Sequence, residues 1–397
     1  MRKSACMRES LLNILTSLVA FDTTSRRSNL PLIEWVAGQL AELGLECRLV
    51  YSEDGAKANL FAMFGPPGVP AIVLSGHSDV VPVDGQDWQS DPFALTERNG
   101  RFYGRGTCDM KGFIACVLDW LPAALAAHRA GRLQQPIAFA LSYDEEVGCL
   151  GVPRLVDDLV QRGVAVAGCI IGEPTCMRPV IAHKGIAHFR CRVLGRAAHS
   201  SLTPQGVNAI EYAARLISHI RKLADAESQF GKTRPLYDVP YATLQTGTIR
   251  GGTATNIVPR DCEFVFECRW LPGEPLERYI ASIRDYAATL IEEMRQIAPE
   301  ADIEFEQLVE CQPFEAPDHG ALIGYIEELC AGADARAVAY TTEAGCFSSA
   351  GFPSVVVGPG SIEQAHKPDE YIEIEQLDAC INWLDGLLAI LCRPVVF

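Results

Sequence analysis

The chain has 397 residues, is 48% hydrophobic and 21% charged, and carries a formal net charge of −16. That length accommodates a large core and two or three domains. The acidic balance argues against nucleic acid and membrane surfaces as partners, because both are bound through clustered Lys and Arg. No apolar run reads as a bilayer span. Arg2 and Lys3 make a short basic start, but Arg8 and Glu9 interrupt what a secretory signal would keep apolar. The 15 cysteines are odd in number and form no Cys-x-x-Cys pair, so reduced, buried thiols in a cytoplasmic protein are expected.

From about residue 8, Leu11, Leu12, Leu15, Leu18 and Val19 recur at helical spacing. A second helix is expected over 31–44, opened by Pro31 and closed by Gly44. Strands follow at 46–50, 60–64 and 71–77. Runs 93–95 and 101–103 flank Asn99-Gly100, a hairpin signal. A glycine-bounded loop, 104–112, leads into an apolar helix ending near 127. The strand 137–142 runs into Asp144-Glu145-Glu146, a helix covers 152–160, and the strand 169–171 runs into Gly172-Glu173-Pro174. This alternation predicts an α/β fold with a mostly parallel mixed sheet flanked by helices.

The middle of the chain has another rhythm. Strand 186–194, helix 206–226, strands 242–249 and 262–270, helix 275–297 and strand 303–309 give the order βαββαβ of a ferredoxin-like unit. It is expected as an insertion at 183–312, between parts of a first domain at 1–182 and 313–397. In the second part a helix ends near 330, strands cover 337–340 and 354–357, Gly358-Pro359-Gly360 precedes His366, and a final helix covers 374–391.

The polar groups beyond the strand ends form a pattern. His77 closes a buried strand, with Asp79 placed to accept from its second ring nitrogen, as a metal-bound imidazole requires. By itself His-x-Asp equally describes a surface turn. Asp109, Glu145, Glu146, Glu173 and His366 stand at comparable places. Such crowded carboxylates would repel and raise their own pKa values unless cations sat among them. Two dications balance Asp109, Glu146, Glu173 and one hydroxide, which leaves Glu145 unliganded. Neighbouring extended residues point to opposite sides, so Glu145 and Glu146 can do different jobs. Imidazole and carboxylate donors suit zinc, with cobalt or manganese as alternatives.

Eight segments carry a resemblance. They are Ser75-Gly76-His77-Ser78-Asp79-Val80-Val81-Pro82, Gly104-Arg105-Gly106-Thr107-Cys108-Asp109-Met110-Lys111-Gly112, Asp144-Glu145-Glu146 and Ile171-Gly172-Glu173-Pro174-Thr175. The others are Gly195-Arg196-Ala197-Ala198-His199-Ser200-Ser201, Thr255-Asn256-Ile257-Val258-Pro259, Thr342-Glu343-Ala344, and Gly358-Pro359-Gly360 leading to Ala365-His366-Lys367. In order and spacing the chain resembles the dinuclear zinc amidohydrolases of the aminoacylase and carboxypeptidase G2 group, the M20 metallopeptidases. Its arginine-biosynthesis branch is the nearer match, and the desuccinylases of lysine biosynthesis are the alternative.

The resemblance implies that His77 and Glu173 hold one zinc, Glu146 and His366 the other, and that Asp109 bridges them. It implies a cis Asp109-Met110 peptide. Glu145 becomes the general base, and Asp79, the partner of His77, a further catalytic group. His199 becomes a donor to the tetrahedral oxyanion, and Asn256 and Arg269 bind substrate. The substrate is a small N-acylamino acid, whose carboxylate suits a bidentate Arg grip. The inserted domain serves as lid and homodimerisation surface, so that His199 acts on the partner's site; the alternatives are action in cis after hinge closure, or a satisfied loop histidine.

Other residues have quieter readings. Cys108 is expected to pack rather than ligate, and His183 and His188 to be structural or substrate-side. Glu343 is either a structural carboxylate or a contact to a substrate ammonium. A different class of function is a catalytically dead sensor or scaffold that binds an amino-acid derivative. Glu145 separates the two, since a dead relative has no use for an unliganded acid beside a full ligand set.

Overall fold

The computed structural model describes residues 9–394, so Arg2, Lys3 and Arg8 lie outside the described residues. The chain divides into two compact units. One holds residues up to 182, then 315–336 and those from 342; the other holds 183–314 with 337–341.

The first unit begins with helices α1 (Glu9–Ala20) and α2 (Leu30–Glu42), then strands β1 (Cys47–Tyr51), β2 (Ala58–Phe64) and β3 (Ala71–His77). A hairpin of β4 (Thr96–Arg98) and β5 (Arg101–Tyr103) follows. Asn99 and Gly100 both have positive φ, 53° and 74°. A two-residue turn of this kind must abut both strands. The first hairpin strand is therefore 96–98 rather than the expected 93–95, and Phe93 lies in a turn where its N–H donates to Asp91. Residues Thr107–Lys111 form a wide helical turn that contains a cis Asp109–Met110 peptide and runs into α3 (Gly112–Arg129).

Next come β6 (Ile137–Ser142), α4 (Val152–Gln161), β7 (Val166–Ile171) and β8 (Val180–His183). The sheet order is β1-β2-β6-β3-β7, reached on the far side by later strands and then β8. β3 pairs in parallel with both β6 and β7, while β2 runs antiparallel to β1 and β6. The parallel centre is buried on both faces, as βαβ crossovers require. Ile72 and Leu74 of β3 join the core built from α1, α2 and α3, and the strand pleat puts Val73 on the opposite face. α3 is apolar almost all round because Phe113, Ile114, Val117, Trp120 and Leu121 are all buried. Among the described residues, the stretch Thr107–Arg129 is apolar and long enough to cross a membrane, contrary to the expectation of none; it is a core helix, 83% buried.

The second unit contains β9 (Gly185–Leu194), α5 (Ala209–Phe230), β10 (Thr243–Gly251), β11 (Asp261–Trp270), α6 (Glu277–Arg295) and β12 (Asp302–Cys311). Its sheet order β10-β11-β9-β12 is antiparallel throughout, the ferredoxin-like arrangement. Ala213, Leu216 and Ile220 of α5 and Ile283 and Leu290 of α6 pack with Phe189, Phe264 and Phe266 of the sheet. α5 starts three residues later than expected. Asn208 caps it by accepting from the N–H groups of Ile210 and Glu211. Residues 337–341 belong to this unit rather than to the final segment, since Thr341 Oγ1 donates to Lys184 O and Ala337 bridges to Tyr237.

The remaining elements are β13 (Phe314–Glu315), α7 (Ala321–Leu329), β14 (Arg336–Val338), α8 (Ala344–Ser349), β15 (Ser354–Val356), β16 (Tyr371–Glu373) and α9 (Ile374–Leu391). β15 extends the parallel centre beside β7, and α9 packs along α3.

Candidate metal centre

Three neighbouring strands, β6-β3-β7, deliver their carboxyl ends to one edge. His77 is the last residue of β3, Glu145 and Glu146 follow β6, and Glu173 follows β7. Adjacent strands lie about 4.8 Å apart, so ligands at successive strand ends are brought close by the sheet itself. Gly172 is required before Glu173, because a Cβ there would stand 2.0 Å from the Phe113 ring.

His77 Nε2 lies 3.0 Å from Asp109 Oδ1 and 3.7 Å from Glu173 Oε1. His366 Nε2 lies 2.8 Å from Glu146 Oε2 and 3.5 Å from Asp109 Oδ2. Asp109 thus turns one oxygen to each imidazole. Donor atoms of His77, Asp109 and Glu173 all fall within 4.8 Å of one another, and so do those of Asp109, Glu146 and His366.

The electrostatics describe anions short of cations. Burial and the nearby Asp109 charge push Glu146 up to about 7 and Glu173 well above the carboxylate range. Burial also raises Glu145 strongly, with Glu146 and Asp109 adding to it and His77 opposing. Burial would raise Asp109 too, but hydrogen bonds from His366 and His77 outweigh it and hold this carboxyl low. Hydrogen bonds to Asp109 and Glu146 push His366 up to about 10. Glu173 Oε1 is buried without a hydrogen-bond partner. A buried carboxylate oxygen left unpaired is costly, and a bound cation satisfies it. The residues present fit two divalent ions sharing Asp109.

Asp79 departs from expectation. The acceptor nearest His77 Nδ1 is the Asp79 backbone carbonyl at 3.0 Å, and the Asp79 carboxylate is 3.7 Å away. That carboxylate accepts instead from Glu145 N at 3.1 Å, Glu146 N at 3.3 Å and Ser25 Oγ at 2.6 Å. The reason is local: Asp144 adopts a left-handed φ of 56°, which turns the next two N–H groups toward Asp79. Asp79 therefore holds the backbone of both glutamates.

Three expected site residues lie in the second unit. His199 and Asn256 are together on paired loops, where Ser200 N donates to Asn256 O at 3.0 Å. Ser201 N donates to His199 Nδ1 at 3.2 Å, which leaves the ring proton on Nε2. Arg269, on β11, is already engaged. Its Nε is 2.9 Å from Glu267 Oε1, its second amine 3.3 Å from Oε2, and another amine 3.3 Å from Ala339 O.

Glu370, at the centre, escaped the sequence reading. Glu370 is 1% exposed and takes hydrogen bonds from three backbone N–H groups and Arg105. Its Asp-Glu dipeptide after a loop histidine looks like a solvated charge, and no sequence signal separates the two. Glu343 resolves to a structural carboxylate: it is fully buried, with Ser75 Oγ and Ser142 Oγ donating to its two oxygens. Cys108 is buried against Ser361 O, His188 pairs with Glu267, and none of the described cysteines forms a disulfide.

An α/β unit with two imidazole–carboxylate triads sharing one aspartate defines a dinuclear metallohydrolase. The sequence profile of peptidase family M20/M25/M40 matches residues 73–389, and the chain belongs to that family. Acetylornithine deacetylase of Pasteurella multocida is 34% identical over 391 residues, spanning 96% of this chain and 98% of that protein. The acetylornithine deacetylase of Myxococcus xanthus is 35% identical over 389 residues, 95% of this chain and 96% of that one. Among solved structures, an M20 family metallo-carboxypeptidase from Sulfolobus solfataricus shares the fold, with a TM-score of 0.74 at 17% identity, covering 97% of this chain and all of that one.

Proposed function

We propose that the protein hydrolyses the amide of N2-acetyl-L-ornithine to L-ornithine and acetate, a cytoplasmic step of arginine biosynthesis. Near full-length similarity to acetylornithine deacetylases supports the substrate. The observation that carries the chemistry is Glu145, an acid beside both triads and a member of neither.

His77, Asp109 and Glu173 would hold one ion, and Asp109, Glu146 and His366 the other. Zinc suits this donor set, with cobalt as the alternative. Bound there, the ions supply Lewis acidity toward the amide carbonyl and acidify water. Glu145 accepts the proton of the attacking water as the C–O bond forms. It returns that proton to the amine nitrogen as the C–N bond breaks. Asp79 fixes the segment that carries this base. His199 donates from Nε2 to the carbonyl oxygen as it gains negative charge. Asn256 and Arg269 bind the substrate carboxylate, with Arg269 sharing its fork between substrate and Glu267. The working assembly is a homodimer through 183–312, in which His199 serves the partner's centre.

The test is a panel of N-acylamino acids assayed with the zinc-loaded protein. N2-acetylornithine should give a higher kcat/KM than N-succinyl-diaminopimelate. The reverse order assigns the protein to the desuccinylases, and no turnover of any member assigns it to the dead sensors.

A further inference from the structure

Resting on the two-ion reading above, we propose that Glu370, Arg105 and Gln86 form a positioning cradle that sets the affinity of the second ion, the one at Asp109, Glu146 and His366. None of the three contributes a donor atom to either triad.

The two triads are supported differently. His77 closes β3, paired there with Ser142 of β6, and Glu173 follows two residues after the adjacent parallel strand β7. His366 lies outside any strand or helix, in a loop where its own φ is 64° and that of Asp369 is 52°. Its side chain is 58% exposed, so core packing does not hold it.

What holds it is polar: a buried Arg105–Glu370 pair, linked to His366 through the part-exposed Gln86. Glu370 Oε1 accepts from Cys108 N at 2.8 Å and Asp109 N at 3.0 Å. Glu370 Oε2 accepts from Gly106 N at 3.0 Å and from Arg105 at 2.8 Å. The same Arg105 amine donates to Lys367 O at 3.2 Å, and its other amine donates to Gln86 Oε1 at 2.6 Å. Gln86 Nε2 donates to His366 O at 3.0 Å. The network therefore ties the backbone of Asp109 to the backbone of His366. Arg105 and Glu370 are each 1% exposed, so the pair is stiff and shielded from solvent screening. Removing it frees the two ligands to drift apart, and His366 has no secondary structure to fall back on. The His77 site keeps its two strand ends.

The test is a metal titration of chelator-stripped protein with Co2+ and Zn2+, followed by calorimetry and by the absorption of bound cobalt. Wild type should take two ions. Outer groups that orient metal ligands typically set about 10–100-fold in affinity. Glu370→Gln should weaken the second ion by about that factor and the first ion clearly less, because the two sites share Asp109 but only the second depends on His366. The cobalt band of the second site alone should recover at high metal. Equal weakening of both sites, or wild-type affinity at both, overturns the proposal. If Glu370→Gln fails to fold by circular dichroism, the part-exposed Gln86→Ala decides. It should weaken the second ion by about tenfold, the low end of that range, and no change refutes the cradle. A wild-type protein that takes fewer than two ions refutes the two-ion reading itself, a result distinct from two ions with no effect of the variants.

Discussion

Replacing Glu145 by Gln separates proton transfer from everything else the centre does. The swap conserves shape, and the backbone stays in place because Asp79 Oδ1 grips Glu145 N at 3.1 Å, a bond the side chain does not enter. Both triads survive, since neither includes Glu145. What is lost, among the described residues, is the acid beside both triads that neither includes, the group proposed to take up a proton and return it. An amide can do neither. General acid–base steps contribute about 10²–10⁴-fold, or about 3–5 kcal/mol of barrier. kcat on N2-acetylornithine should fall by that factor, with KM nearly unchanged and two metal equivalents retained. Steady-state kinetics and elemental analysis on one preparation check both points. A Glu145→Gln variant with wild-type kcat would show that another group is the base. Loss of metal would show that Glu145 is a ligand and that the assigned sets are wrong.

Exhaustive chelation should abolish turnover and readdition of Zn2+ or Co2+ restore it; metal-free protein at full activity would end the metallohydrolase reading. In the second unit, burial would raise Glu267, but hydrogen bonds from His188 and Arg269 outweigh it and hold it at about 2. Its contribution to stability is then fully present above the unfolded value of about 4.3 and lost as pH falls toward 2, at most about 3 kcal/mol. Urea unfolding should show wild type ahead of Glu267→Gln by more at pH 7 than at pH 3, and a gap that ignores pH refutes the linkage. Mixed dimers of Glu145→Ala with His199→Ala should recover about one active site in two if His199 acts on the partner subunit. Verified mixed dimers without activity would rule that out.

Much of the fold was legible because the strands carry strong period and firm punctuation. β6 and α9 fall where hydrophobic runs and turn residues put them, and the βαββαβ order specified the second unit. The seven polar residues of the first unit were legible as strand-end acids and imidazoles, and the structure brings them together. What was hidden was partnership. Periodicity does not say that Asp79 uses its backbone carbonyl for His77 and its carboxylate for Glu145 and Glu146. Nor does it show that Arg269 already has Glu267 in its fork. Glu370 drew no reading and Glu343 was left between two, because burial of an acid is decided by donors far away in the chain: Gly106 to Asp109 for one, Ser75 and Ser142 for the other. Short elements were also missed, since β8 and β16 are too brief to show a period.

The charge arrangement explains why the centre needs so much support. Asp109, Glu145, Glu146 and Glu173 converge within a shell where burial already disfavours ionised acids. Without cations that repulsion is opposed by the His77 and His366 imidazoles and by restraints on the backbone. Two such restraints are visible. Asp79 clamps the N–H groups of Glu145 and Glu146, and Glu370 clamps those of Cys108 and Asp109. Each is itself a carboxylate, and the charge of Glu370 is matched by the buried Arg105 at 2.8 Å, so its clamp does not add to the repulsion. The sheet supplies half of the geometry at no extra cost, through the ends of β6, β3 and β7. The other half comes from loops and requires buried acids to hold it, so the loop-built site is where metal affinity is most open to adjustment by residues that never touch the metal.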